Sequence, residues 1–352
     1  MVNIMEALCE ADSIAGLRVG ITYNLKKGIL SEAADFEAEY DHLDTVLAIQ
    51  QALEEAGCLV IRLEADRDLP EKLKDDPPDI VFNIAEGSHG RGREAQVPAI
   101  LHFLGIPFTG SDETTLCIAL DKALTKRILA SYKIRTPHSR VFTPDEAVTT
   151  RNVTFPSIVK PNAEGSSKGI TDHAIVYDRT SLLQQLKNGF RLYGCDMLVE
   201  PFIRGREVTV GLLGNGSCLH VFSPMEIIYL QNKKDNIYSY TTKQNWKEQV
   251  RYECPARLEP GVAEKVMQIA GKIYKILDCH DFARIDFRID EQNQPWFIEI
   301  NPLPGLAPGY SDYPMLASFC GMDYNFLIQS ILRAAIQRHA PKAGIYYDTR
   351  RS

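Results

Sequence analysis

One stretch of this 352-residue chain restricts its fold more than any other: Phe282-Ala-Arg-Ile-Asp-Phe-Arg-Ile289, a polar turn Asp290-Glu-Gln-Asn-Gln294, then Trp296-Phe-Ile-Glu-Ile-Asn301. Two runs of alternating polar and apolar residues around a turn predict an antiparallel hairpin. With the turn centred between Gln292 and Asn293, Asp286 lies opposite Glu299 and Arg284 opposite Asn301. All four share one face, while Ile285, Ile298 and Ile300 point to the other. Carboxylates directly opposite each other repel, so the pattern asks for a cation. Asp286, Glu299 and Asn301 offer only oxygen ligands, which suit magnesium. The plainer reading of the same residues is a solvated hairpin face whose acids are neutralised by Arg284 and Arg288.

The rest of the chain divides by its patterning. Apolar runs at 17–23, 59–63 and 80–84 alternate with helical spacing at 41–56 and 96–104, which predicts a small parallel sheet covered by helices. Residues 112–131 read as one helix. Strands at 157–160 and 197–200 flank a helical segment at 181–186. Strands at 208–213, 218–228, 282–289 and 296–301 then surround a helix at 260–277, and a last helix covers 325–337. Boundaries near 111 and 201 give expected domains 1–111, 112–201 and 202–352, in line with about 150 residues per domain.

Composition removes several classes of function. Lys plus Arg number 39 against 46 Asp plus Glu, a net charge of -7 with no block of like charges. The electrostatic footprint of a nucleic-acid or membrane-surface binder is missing. No apolar run approaches the roughly 18 residues of a membrane span, and the first ten residues do not read as a signal peptide, so a cytoplasmic location is expected. The eight cysteines form no C-x-x-C pair, which fits reduced thiols rather than zinc ligands or a disulfide framework.

A second motif, Lys160-Pro-Asn-Ala-Glu-Gly-Ser-Ser-Lys-Gly169, follows directly on a strand. Its backbone N–H groups, two hydroxyls and two lysines could cradle phosphate oxygens, although an isolated Gly-Ser loop is also an ordinary surface turn. No P-loop sequence is present. Gly90-Arg-Gly-Arg-Glu-Ala95 imitates a dinucleotide fingerprint, but it stands too far from its strand and carries two arginines in the turn, so it reads as a polar connecting loop.

Taken in chain order, a set of motifs resembles the D-alanine:D-alanine ligases of the ATP-grasp superfamily. They are Val81-Phe-Asn-Ile, Gly105-Ile-Pro-Phe-Thr-Gly-Ser111, Asp121-Lys122 with Thr125-Lys126, Val159-Lys160-Pro with Glu164-Gly-Ser-Ser167, and Leu198-Val-Glu200. Arg204-Gly-Arg-Glu207, Arg284-Ile-Asp286 and Glu299-Ile-Asn301-Pro-Leu-Pro-Gly305 complete the set. The resemblance implies a three-domain α/β ATP-grasp fold: a small N-terminal parallel sheet with helices, a central α+β domain, and a C-terminal antiparallel sheet with helices.

It further implies ATP between the second and third domains, with Lys122 and Lys160 on the phosphates, Glu200 and Ile203 at the adenine and Glu207 at the ribose. Lys243, in Tyr240-Thr-Thr-Lys243, would lie on a mobile loop over the γ-phosphate, and Asp286, Glu299 and Asn301 would hold magnesium. A substrate carboxylate would attack the γ-phosphoryl group, and an amine would then attack the acylphosphate. Arg284 and the N–H of Gly305 would bind the oxyanion, and the Ser166-Ser167 loop would exclude water. The implied partners are amino-acid or small-peptide substrates and a second copy of the chain.

The sequence departs from that family around its substrates. Glu39 falls where the family holds the first substrate's ammonium, but its neighbours differ: Glu-His-x-Val-Ser is Glu39-Tyr-Asp-His-Leu43 here. The family's His-Gly is Glu86-Gly87, and the tyrosine after the mobile-loop lysine is Gln244. The carboxylate-binding Ser-Leu is Ser311-Asp312, where an added acid would repel a carboxylate unless a cation intervenes. The expected activity is therefore ATP-driven amide formation with substrates that can differ from two D-alanines. The competing readings are a non-catalytic ATP-binding sensor or scaffold and, built on residues 90–95, a dinucleotide-dependent oxidoreductase.

Overall fold

The computed structural model describes residues 14–146, 148–231 and 235–340; the outer ends of the first and third expected domains lie outside them. The chain first alternates strand and helix: β1 Arg18–Tyr23, α1 Leu43–Glu55, β2 Leu59–Glu64, α2 Leu69–Asp75, β3 Ile80–Asn83 and α3 Gln96–Leu104. β1 pairs in parallel with β2 on one side and β3 on the other. Val46, Ile49 and Leu53 bury one stripe of α1, the three-and-four spacing that holds a helix on a core. Helix α2 was not anticipated. It is seven residues long with only Leu69 and Leu73 buried, too short to carry a periodic signal.

Residues 112–131, expected as one helix, form two: α4 Glu113–Leu120 and α5 Lys122–Ser131. Asp121 between them is extended, and its carboxylate accepts the Leu124 N–H at 3.0 Å and an Asn162 side-chain N–H at 2.9 Å. A capping aspartate thus outweighs helical composition. The break sets Lys122 at the head of α5, with its N–H on the Asn162 carbonyl at 3.1 Å.

A four-stranded antiparallel sheet follows, formed by β4 Arg140–Phe142, β5 Ser157–Pro161, β6 Ile175–Val176 and β7 Met197–Pro201 in the order β4-β7-β5-β6, with α6 Arg179–Tyr193 packed on it. Helix α6 outruns the expected 181–186. It starts in a capping box between Asp178 and Ser181 and ends at Gly194, φ +59.

The remaining elements are β8 Arg206–Leu213, β9 His220–Val221, β10 Met225–Tyr229, α7 Tyr240–Gln244, α8 Trp246–Gln249, β11 Val250–Glu253, α9 Val262–Ile276, β12 Phe282–Ile289, β13 Pro295–Asn301, α10 Asp312–Phe319 and α11 Tyr324–His339. The strands form an antiparallel sheet in the order β11-β10-β8-β12-β13, with β9 beside β8. The strand expected over 218–228 is broken into β9 and β10, with Pro224 between them. Val208, Val210, Ile285, Phe287 and Ile300 bury one sheet face against Val266 and Ile273 of α9, and Ala119 and Leu129 of α4 and α5 join that core. A second core links Val46 and Ile49 of α1 to Phe282, Tyr313 and Ile328, so α10 and α11 tie the parallel sheet to the large one.

The central hairpin has the expected pairs, Asp286 opposite Glu299 and Arg284 opposite Asn301. Beyond them the register shifts and Phe287 faces Phe297, which leaves Ile298 as an extra residue in a bulge. Ile298 therefore does not join Ile285 and Ile300 on the apolar face. It lines a cavity beside Glu299, and Phe297 takes the core position.

Candidate active site

The site is assembled where β5 and β7 of the central sheet meet β8, β12 and β13 of the large one. Lys160 and Glu200 are the next-to-last residues of β5 and β7. The Glu200 carboxylate lies 3.1 Å from Lys160 Nζ and 3.0 Å from Lys126 Nζ, and all three side chains are 2% exposed. Burial would push Glu200 up, yet the two ammonium groups hold it below its usual value. Burial pulls Lys126 down to about 8. Lys160 is raised, because Glu200 and Glu299 outweigh its own desolvation.

Above this triad opens a cavity of about 750 Å3 including its mouth, with Ile158, Phe202, Ile203, Ile237, Phe287 and Ile298 as apolar walls. Glu200, Glu207, Lys160, Ser166, Ser167, Lys243, Arg284, Asp286, Glu299 and Asp312 supply its polar lining. An apolar slot with a few aimed polar groups is the ordinary form of a small-molecule site. Glu207 accepts from Tyr229 Oη at 2.7 Å and from Arg288 at 3.0 Å, and burial raises its pKa.

On the hairpin face, Asp286 accepts the Thr209 hydroxyl at 2.6 Å and a two-pronged contact from Arg284 at 3.0 and 2.9 Å. Glu299 stands 3.7 Å from Lys122 and 3.9 Å from Lys160. Burial opposes its ionisation, but Lys122, Lys160 and Arg284 prevail and bring it to about 2. The carboxylates of Asp286 and Glu299 and the Asn301 amide oxygen make an all-oxygen donor set, and it fits a hard cation. Lys122 and Asn301 also line a smaller cavity with Glu86, Ser166 and Glu299.

The loop after β5 is more ordered than a free turn. Ser166 and Ser167 are both left-handed, φ +49 and +58, a conformation that strains a residue other than glycine. Contacts from elsewhere hold it: the Gly165 N–H donates to Glu39, the Gly169 N–H to Asp35 at 2.6 Å, and the Ser167 hydroxyl to the Tyr238 carbonyl at 3.1 Å.

A further cavity is lined by Lys26, Glu39, Asp41, Glu86, Gly305 and Ser311, and it shares Ser166 and Lys243 with the first. Gly305 runs so close to Ser311 that a Cβ there would lie 2.9 Å from the Ser311 hydroxyl. Glu39, expected to hold an ammonium group, is ion-paired to Arg93, the two side chains being 4% and 7% exposed. Arg93 also reaches Glu164 at 3.1 Å and the Ala163 carbonyl at 2.8 Å. The stretch expected as a polar connecting loop thus turns inward at Arg93–Ala95. Carboxylate oxygens of Glu39, Glu86 and Glu94 lie within 4.8 Å of one another. Burial and mutual repulsion raise Glu86, and burial brings Glu94 to about 7.

Asp312 lines the first cavity, with Lys160 and Arg284, and not the one lined by Ser311. The intervening cation is Arg284, 3.4 Å away.

The structure brings in residues that sequence reasoning left without a role: Lys126, Arg93, Thr209, Tyr238 and Tyr252. Thr209 was within reach, because period-two alternation along β8 puts it on the face of Glu207, beside Asp286. Arg93 stood out in the sequence only as a departure from the family's Glu-Asp-Gly in the 90–95 turn; its pairing with Glu39, distant in sequence, could not be read.

The family model for the D-ala D-ala ligase C-terminus matches residues 130–333. The D-alanine–D-alanine ligase of Aquifex aeolicus is 37% identical over 298 residues, 82% of this chain and 94% of that protein. An uncharacterized protein of Sinorhizobium fredii is 33% identical over 304 residues, 84% and 88% of the two chains. Among solved structures, the Bacillus anthracis D-alanine–D-alanine ligase complexed with ATP superimposes with a TM-score of 0.72 at 24% identity, covering 92% of this chain and 98% of that one. The VanG D-Ala:D-Ser ligase of Enterococcus faecalis gives 0.71 at 21% identity, covering 91% and 99%.

Fold and relatives together define an ATP-grasp carboxylate–amine ligase, an ATP-dependent enzyme that forms a peptide bond from amino-acid substrates. Within that class the chain belongs to the D-alanine–D-alanine ligase family. A non-catalytic ATP-binding role is not favoured. Among the described residues no helix is long and apolar enough to cross a membrane.

Proposed function

We propose that this enzyme couples an amino-acid carboxylate to an amine whose identity differs from the D-alanine pair, in the cytoplasm, using ATP with magnesium. The observation that carries the substrate reading is the buried Glu39–Arg93 ion pair. A carboxylate already neutralised by arginine is a poor seat for an ammonium group, and Glu86 stands where the family has histidine.

In this reading the adenine lies between Phe202, Ile203 and Ile298 beside Glu200, and the ribose meets Glu207. Lys122, Lys160, Lys243 and Ser167 surround the phosphates. Asp286, Glu299 and Asn301 would hold magnesium, which neutralises phosphate charge when bound. A carboxylate oxygen of the first substrate attacks the γ-phosphorus, the bond to the β,γ-bridging oxygen breaks, and ADP leaves. The Ser166 loop keeps water from the acylphosphate. The second substrate's amine attacks the carbonyl carbon, Arg284 and the Gly305 N–H bind the oxyanion, and inorganic phosphate departs with the amine losing a proton. Glu39 and Ser311 frame the substrate cavity.

A homodimer through the N-terminal and central domains is part of the proposal, supported on the N-terminal side by exposed Leu43, Leu47 and Leu59. The test is phosphate release from ATP with magnesium over D- and L-amino acids, singly and in pairs, with mass spectrometry of the product. Turnover restricted to another acid–amine pair is expected. Efficient turnover with D-alanine alone overturns the substrate reading.

A further inference from the structure

We propose that Asp312 is a positioning residue for Arg284, holding its guanidinium for amide-bond formation. The inference rests on the reading of Arg284 as an oxyanion donor.

Asp312 opens α10 at a position where the family motif has leucine. It is 3% exposed, and a buried carboxylate in place of an apolar side chain must be hydrogen-bonded or neutralised to persist. Here both needs are met. One oxygen lies 3.1 Å from Tyr252 Oη and 3.3 Å from Tyr238 Oη. The other lies 3.4 Å from Arg284 Nη1. The two tyrosine hydroxyls lie 2.5 Å apart, so one donates to the other and the second donates to the acid, which closes the network.

Arg284 is held from two directions. Its Nε and Nη2 engage Asp286 at 3.0 and 2.9 Å, and its remaining nitrogen faces Asp312. The proposed function also gives Asp286 to the metal. A guanidinium tied only to Asp286 would be free to turn whenever that carboxylate engages something else. Asp312 does not share that duty, so it keeps the fork oriented throughout the cycle. Tyr238 extends the arrangement, because its carbonyl accepts the Ser167 hydroxyl at 3.1 Å. The loop over the phosphates and the arginine beside the carbonyl are thus connected through Tyr238 and Asp312. Leucine can supply none of these contacts, since it has no acceptor.

The experiment is rapid-quench kinetics with ATP, magnesium and the best acid–amine pair of the amino-acid panel, measuring ADP in the first turnover separately from amide product. Asp312→Asn keeps shape and removes the charge. It should leave the first-turnover ADP phase near the parent rate and slow amide formation by about tenfold or more, because the oxyanion appears only in the second step. Tyr252→Phe should slow the same step by about threefold, and it carries the test if Asp312→Asn fails to fold. A parental amide rate in both variants, or equal slowing of ADP and amide formation, overturns the proposal and makes Asp312 structural. Arg284→Lys separates the two layers. If it slows amide formation while Asp312→Asn does not, only the positioning role falls; if it slows nothing, the oxyanion reading falls and this inference with it.

Discussion

Asp286 and Glu299 face each other across β12 and β13, one step before the bulge that turns Ile298 toward the cavity. The bulge joins an acidic face to an apolar wall on adjacent residues of one strand, and the proposed function gives the first to magnesium and the second to the nucleotide. Asp286→Asn and Glu299→Gln should each lower magnesium-dependent turnover by about a hundredfold or more, with thermal melts showing an intact fold. Turnover within a few-fold of the parent in both variants would remove the metal assignment.

The Glu39–Arg93 pair predicts a stability effect apart from any effect on substrate. Arg93 serves both Glu39 and Glu164, so removing it leaves buried acids uncompensated, and Arg93→Met should destabilise by about 3 kcal/mol or more in urea unfolding. Glu39→Gln, which leaves Arg93 its Glu164 partner, should destabilise by less. If Glu39→Gln leaves stability untouched and raises only the first substrate's KM, Glu39 is a substrate ligand after all.

Glu94 predicts a pH dependence. Burial raises its folded-state pKa from 4.5 to about 7. A group raised in this way binds its proton more tightly in the folded state, so stability is lost as pH climbs from 4.5 towards 7. Glu94→Gln should therefore raise the melting temperature at pH 8 relative to the parent and change it much less at pH 5. Melts across that window test the sign; an equal shift at both pH values would argue that the carboxyl is already ionised when folded.

Gly169 shows how tightly the loop after β5 is drawn. Its φ is +76, and a Cβ added there would lie 2.3 Å from Pro161 Cγ. Gly169→Ala should destabilise by roughly 2 kcal/mol and raise the KM for ATP more than those for the other substrates. A change in kcat alone would place the loop's contribution in chemistry instead of nucleotide capture.

The hairpin and the parallel N-terminal sheet were legible because period-two and period-3.6 patterns report burial directly. Asp286, Glu299 and Asn301 could be paired by counting from a turn. The bulge at Ile298 could not, because both Phe297 and Ile298 are apolar and either can fill the core. The break at Asp121 was hidden by good helix formers on both sides. Asp312 was visible as an anomaly, but its partners Tyr238, Tyr252 and Arg284 come from three separate segments, and only the folded chain shows that they meet. Arg93 is the extreme case, an arginine in a glycine-rich turn whose ion-pair partners, Glu39 and Glu164, lie far away in sequence.

The serine loop is clasped from outside its own sheet, by Asp35 and Glu39 of the N-terminal unit. Under the proposed function, the unit that would hold the acid therefore also anchors the backbone of the loop over the triphosphate, so a change at Asp35 or Glu39 reaches both ligands through two N–H contacts.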